Sequence, residues 1–154
     1  MVIYVDGSVL PQNPGGVVGY GWHADTGDSG FGIAFEGGDS ATNNIGEYTS
    51  VAAALIWVLS GKTNSVTVTI KSDSELLVHQ LNGEWRVKHS NLKPIAAVVH
   101  MMIEALNGRG VEVVAEWIPR EENKVADDLS RRALKNQMKE RYPMTQREKR
   151  ESQK

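Results

Sequence analysis

The chain opens on an unbroken apolar run, Val2-Ile3-Tyr4-Val5, β-branched or aromatic without polar alternation. That is the pattern of a strand covered on both faces in the middle of a sheet. The run ends on Asp6 and Gly7, so the strand delivers a carboxylate at its carboxyl end. The glycine there permits an immediate turn or the close approach of another group. Pro11, Pro14, Gly15 and Gly16 mark a loop. Two further strands follow, Val17 to Ala24 and Phe31 to Gly37, with Asp25 to Gly30 between them; this predicts an antiparallel meander whose glycines leave flat patches where another backbone could lie. Thr42-Asn43-Asn44 then opens a helix whose apolar positions Ile45, Tyr48, Ala52, Leu55, Ile56 and Leu59 step by three and four, and Gly61 stops it. Val66, Val68 and Ile70 alternate with threonine and lysine in a strand from Ser65 to Ser72, which ends on Asp73. Ser74 to Leu81 reads as a short helix. Leu92, Ile95, Val99, Met102, Ile103 and Leu106 form another, closed by Asn107-Gly108. Val111 to Ile118 is a strand ended by Pro119, and Glu122 to about Lys135 a last helix with Val125, Ala126, Leu129 and Ala133 inward.

The order βββαβααβα predicts an α/β fold with a mixed five-stranded sheet, three strands antiparallel and the rest parallel, flanked by helices on right-handed crossovers. The opening strand and the strand ending at Asp73 become parallel neighbours, presenting their carboxyl ends at one edge, where open α/β sheets place their sites. At 154 residues the chain suits one domain with a real core, here 1–136, followed by a basic tail, 137–154. Cysteine is absent, which removes thiolate chemistry and a disulfide framework and suits a reducing, cytoplasmic setting. The apolar opening is cut by Asp6 and has neither the basic leader of a signal peptide nor the length of a membrane span. The net charge of −2 conceals an asymmetry: the tail holds six basic residues against three acidic, +3, which leaves −5 on the body. An acidic body gives solubility, or gathers carboxylates to hold cations that in turn hold a polyanion.

Two more acids, Glu47 and Asp127, fall in first turns of helices that could pack at the same edge as Asp6 and Asp73. Each of the four has an ordinary structural use as well. Asp-Gly is common turn chemistry, Asn44 to Glu47 has capping-box spacing, Asp73 can cap the helix it opens, and an acid in a first turn favours the helix dipole. If all four converge they cannot remain ionised together without counter-charge. Two divalent cations would neutralise them, and an oxygen-only donor set selects Mg²⁺ or Mn²⁺ over zinc. His23, His79, His89 and His100 show no metal-ligand spacing.

Val5-Asp6-Gly7-Ser8, Asn13-Pro14-Gly15, Thr42-Asn43-Asn44 with Glu47, Ser72-Asp73-Ser74 and Asn123-Lys124-Val125-Ala126-Asp127 occur in this order from Val2 to about Ala133. As an ordered set they resemble the type 1 ribonucleases H, which cut the RNA strand of an RNA–DNA hybrid. The resemblance implies a ribonuclease H-like fold and makes Asp6, Glu47, Asp73 and Asp127 the catalytic, metal-binding acids, with Asp128 the neighbouring candidate for the last. It implies two Mg²⁺ ions, or Mn²⁺, in the substrate complex, water attack at phosphorus, and 3′-hydroxyl and 5′-phosphate ends. It also directs Asn13, Asn43 and Asn44 to the hybrid and Thr42 to a DNA phosphate, in keeping with amides that read ribose hydroxyls. Turn and cap chemistry is the alternative use of these residues.

Two departures from the family stand out. Many members carry a basic insertion between the helices after the third acid, where this chain has only Gly83 to His89. Trp85 with Arg86, Lys88 and Lys93 is then expected to supply stacking and phosphate contacts, unless Trp85 is an aromatic lid over the core. The loop Ile118 to Glu122 also lacks the histidine found in many relatives; Arg120 is the residue there that could reach the phosphate, its alternative being a surface pair with a nearby acid. The expected activity is a metal-dependent endoribonuclease acting as a monomer on hybrids. Another nuclease on the same scaffold, or a catalytically silent hybrid-binding module, is the competing reading, and a binder has no reason to concentrate negative charge against a polyanion.

Overall fold

The structure is a computed structural model; it describes every residue except 12, 62, 63 and 142–144, and the backbone alone at 138–141. Strands β1 (Val2–Leu10), β2 (Val17–Ala24) and β3 (Ser29–Glu36) precede helix α1 (Asn43–Leu59). Strand β4 (Thr67–Ser72), helices α2 (Glu75–Leu81) and α3 (Lys93–Gly108), and strand β5 (Glu112–Trp117) follow. A 3-10 turn at Arg120–Glu122 leads into α4 (Lys124–Arg141), with α5 (Gln146–Glu151) beyond it. The sheet order is β3-β2-β1-β4-β5, antiparallel across β3, β2 and β1 and parallel across β1, β4 and β5. The predicted fold class and element order are therefore observed, with α5 added.

The opening strand does not stop at Asp6. It continues to Leu10 because β2 keeps pairing with it, Asp6 against Gly21 and Leu10 against Val17, whereas its parallel pairing with β4 ends at Tyr4 and Lys71. Asp6 thus stands where β1 loses its neighbour on one side only. Carrying the same register two residues further sets Asp6 level with Asp73.

Alternate residues of β1 face different layers. Ile3 and Val5 join Val68 and Ile70 of β4 in a core closed by Tyr48, Val51 and Leu55 of α1, Leu77 of α2, and Val99 and Leu106 of α3, all of them buried. The opposite face of β1, β2 and β3 is covered by α4, with Ala126, Leu129, Ala133 and Leu134 buried beneath it. Two positions expected to face inward do not: Ile56 and Val125 are exposed, because α1 and α4 each touch the sheet along a stripe narrower than their apolar pattern.

The flat glycine patches are filled by the chain's own helices. A Cβ on Gly21 would meet the Ser130 nitrogen, the Ala126 oxygen and Leu129 Cβ at 2.6–2.7 Å, so the glycine lets α4 lie directly on β2. A Cβ on Gly7 would strike the α1 backbone at Gly46 and Glu47. Of the two uses foreseen for Gly7, close approach is the one observed. The Gly7 contact brings the acid-bearing start of α1 down onto the strand that carries Asp6, and the Gly21 contact seats α4, which carries Asp127, on its neighbour β2.

Buried polar groups tie these layers together. Tyr48 Oη donates to Gln80 Oε1 at 2.6 Å, and Ser50 Oγ donates to the Gly21 carbonyl at 2.5 Å. Asn82, just past α2, bonds Ala115 in both directions at 2.9 Å and so covers part of the outer edge of β5. Helix α4 runs unbroken across Asn136 and Gln137. Beyond it α5 is exposed and carries its own capping box between Thr145 and Glu148; the stretch of the tail at 142–144 lies outside the described residues. No helix among the described residues is long and apolar enough to cross a membrane.

Candidate active site

Asp6, Glu47 and Asp73 converge: each offers a carboxylate oxygen, and the three lie within 4.8 Å of one another. Asp6 comes from the point where β1 and β4 part, Glu47 from the α1 turn seated on Gly7, and Asp73 from the residue after β4. The structural uses weighed for these acids are taken by their neighbours. Thr42 caps α1, its Oγ1 accepting from the Ile45 nitrogen at 3.4 Å, and Ser74 caps α2, accepting from the Leu77 nitrogen at 3.2 Å. Glu47 and Asp73 are left for the cleft.

Concentrating carboxylates in a buried space moves their protons. The Asp6 carboxyl is pushed up to about 8, chiefly by burial and then by the Asp73 charge, with Glu47 and Asp127 adding to it; the Gly7 N–H, donating to Asp6 Oδ1 at 2.9 Å, opposes the rise. Glu47 is pushed up to about 7 by burial, which a hydrogen bond from Ser74 opposes and the Asp73 charge reinforces. The neighbouring Tyr48 hydroxyl is pushed up to about 12 by burial and by Glu47. A cluster that holds protons for want of counter-charge, and offers only oxygen donors, fits a hard divalent cation.

Around the three acids is a cleft of about 370 Å³ lined by Asn43, Ser74, Arg120, Asp127 and Arg131 among others. Asp127 is in the cleft, yet it stands outside the 4.8 Å trio. Its Oδ1 accepts from Arg131 Nε at 3.1 Å, one helical turn along α4. The convergence expected of four acids is thus a tight three with the fourth on the wall. Of the two neighbouring acids, Asp127 lines the cleft, while Asp128 is exposed and outside it. Arg120 lines the cleft, and among the described residues no ion pair holds it on the surface.

Sequence reasoning passed over Arg131, whose only signal was its i,i+4 spacing from Asp127, and Asn123 as a positioning group. The Asn123 amide is buried and donates to the Val5 carbonyl at 2.9 Å, fastening the start of α4 to the residue before Asp6. Ser8 and Ser130 make a second tie between β1 and α4 at 2.6 Å.

The remaining candidates are divided between two places. The loop carrying Asn13 is fastened beside Thr42 by a bond from the Gly15 nitrogen to the Ala41 carbonyl, and Asn13 itself is exposed. A groove of about 560 Å³ is lined by Asn44, Gln80, Trp85, Arg86, Lys88 and others, but not by Lys93, which begins α3. Trp85 is not a lid over the core. It is 47% exposed and stacks on His79 at 4.2 Å, while His79 pairs with Glu84 at 2.7 Å. Gln80 ties the groove to α1, accepting from Tyr48, next to Glu47, and donating to the Arg86 carbonyl at 3.4 Å.

Residues 5–133 match the model of the reverse transcriptase-like family. Over 94 residues the chain is 33% identical to Bifunctional protein Rv2228c of Mycobacterium tuberculosis, covering 61% of this chain and 24% of that protein. The chain thus spans about a quarter of the length of this curated relative. Over 134 residues it is 31% identical to Ribonuclease HI of Halobacterium salinarum, covering 85% of this chain and 62% of that one. The structure of LC11-RNase H1 in complex with an RNA/DNA hybrid superposes with a TM-score of 0.73 at 27% identity, covering 89% of this chain and 98% of that one. Fold and acidic cleft together define a ribonuclease H-like protein. The chain belongs to the reverse transcriptase-like family.

Proposed function

We propose that this chain is a divalent-metal-dependent endoribonuclease that hydrolyses the RNA strand of RNA–DNA hybrids by a two-metal mechanism, leaving 3′-hydroxyl and 5′-phosphate ends. The observation that carries the reading is the convergence of the Asp6, Glu47 and Asp73 carboxylates in an open cleft that Asp127 and Arg120 also line. The relative solved with an RNA/DNA hybrid supports the substrate class.

Asp6, Glu47 and Asp73 would hold the cations, and Asp127 would join them by exchanging its bond with Arg131. Two Mg²⁺ ions, or Mn²⁺, bound there would neutralise the acids, lower the pKa of the attacking water and stabilise the leaving oxygen. A guanidinium such as that of Arg120 serves as a charge stabiliser for the phosphate rather than a proton carrier. Asn13, Thr42, Asn43 and Asn44 are assigned to the hybrid near the cleft. Trp85, Arg86 and Lys88 form the aromatic and basic wall for the DNA strand, in place of a basic protrusion, since residues 82–92 contain no helix or strand. The Tyr48–Gln80–Arg86 chain of bonds holds that wall at a set distance from Glu47.

The test is cleavage of labelled RNA–DNA hybrid, RNA duplex and DNA duplex, each with Mg²⁺ or with chelator. Cleavage confined to the RNA of the hybrid and abolished by chelator is expected. Hybrid binding without cleavage at millimolar Mg²⁺ or Mn²⁺ would reduce the chain to a binding module, and cutting of the DNA duplex would make it a different nuclease.

A further inference from the structure

Helix α3 buries Ala96, Val99 and Leu106 against the body. Its opposite side carries Pro94, Ala97, Val98, Met101 and Ala105, all exposed, with Val98 43% and Met101 68% accessible. At helical spacing these form one apolar stripe along the helix. Single exposed apolar residues are ordinary on a protein surface, but an uninterrupted stripe is not. Between Lys93 and Arg109 the only ionisable residues are His100 and Glu104.

We propose that this face is a homodimer interface, in which two copies of the chain pair their α3 helices antiparallel about a two-fold axis between Val98 and Met101. The flanking charges select a second copy as the occupant. Lys93 and Glu104 are about three turns apart on the same flank of the stripe, roughly 16 Å along the axis and too distant to pair within one chain. A two-fold that reverses the helix brings each flank against its own counterpart, so Lys93 meets Glu104 of the second copy and Glu104 meets Lys93. Lys93 also sits in the first turn of a helix that has no side-chain cap, where the dipole disfavours a cation. A carboxylate from the second copy relieves that cost. The small residues Ala97 and Ala105 let the helices approach while Val98 and Met101 interlock at the centre. A single pair of four-turn helices is a small interface, so dissociation in the micromolar range is expected in place of the monomer foreseen from sequence.

Sedimentation equilibrium of the intact chain, from micromolar to submillimolar concentration, tests this. The mass should rise from 16.9 kDa toward twice that value. Met101→Glu sets like charges against each other at the axis and should weaken association at least roughly 30-fold, with an unchanged melting temperature at submicromolar concentration, where both proteins are monomeric, because the position is exposed. Lys93→Glu should weaken it about ten-fold, and adding Glu104→Lys to that variant should restore it to within about three-fold of wild type. A wild type that stays at 16.9 kDa, or a Met101→Glu variant that dimerises as well as wild type, would overturn the proposal. So would a charge-swapped double variant that fails to recover.

Discussion

Asp6 gives the metal-free protein an unusual dependence on pH. Its carboxyl ionises near 3.8 in the unfolded chain but is pushed up to about 8 in the fold, and Glu47 moves from 4.5 to about 7. Within that window the unfolded chain has already lost protons that the folded chain keeps. Stability should therefore be greatest below about pH 4 as far as these groups are concerned, fall as pH rises, and level off above about 8, by up to about 1.4 kcal/mol per pH unit for each carboxyl. Thermal melts in chelator should show the decline, Asp6→Asn should flatten it, and millimolar Mg²⁺ should raise the melting temperature most at the alkaline end. A melt independent of pH between 5 and 8 would contradict the clustered geometry. Asp73→Asn keeps the side-chain volume while removing a carboxylate charge from the cluster; on the proposed function, cleavage should drop by roughly three orders of magnitude or more, with the fold intact and hybrid binding partly retained. Arg120→Ala should slow turnover by only about ten- to a hundred-fold, and kcat more than KM, as for a contact strengthened in the transition state. Unchanged turnover would leave the site without a side-chain assistant.

At the scale of elements, the site depends on how closely two helices lie on the sheet. Gly21 is where α4 touches β2, so Gly21→Ala forces the helix outward against Ser130, Ala126 and Leu129. We expect about 2–3 kcal/mol of destabilisation by denaturant titration. Activity should fall further than the loss of folded protein accounts for, because α4 carries Asp127 as well as the bond from Asn123 to Val5. A variant of wild-type stability would mean that α4 can shift without cost. Here too the sequence pattern had limits. It located α1 to α4 but not α5, and apolar periodicity at Ile56 and Val125 suggested burial where the packed faces are narrower.

Across the whole molecule, charge is divided between an acidic body and a tail carrying +3. On the proposed function, the exposed cations beyond α4 would add phosphate affinity without adding sequence preference. Deleting Arg147 to Lys154 should flatten the dependence of hybrid affinity on salt while sparing the cleavage pattern at saturating substrate. An unchanged salt slope, measured by titration at several ionic strengths, would show that α5 takes no part in binding.

The sequence alone determined the element order and the mixed sheet, because burial imposes a period of two on strands and 3.6 on helices, and it brought out four candidate acids by reading each at the end of a strand or the opening of a helix, although β1 runs on past Asp6. Taken one by one, those acids carried two readings, cap or ligand, and local spacing did not choose between them. The tertiary structure decided which residues cap the helices and where the acids stand. Thr42 and Ser74 take the caps, β2 carries β1 past Asp6 while β4 falls away, and Gly7 and Gly21 admit the helices that close the cleft. The pairing of Asp127 with Arg131 and the stacking of Trp85 on His79 depend on rotamers and on contacts between residues near in sequence but free to point elsewhere. Periodicity reports which side of an element is buried; which atoms meet there is settled only when the layers pack.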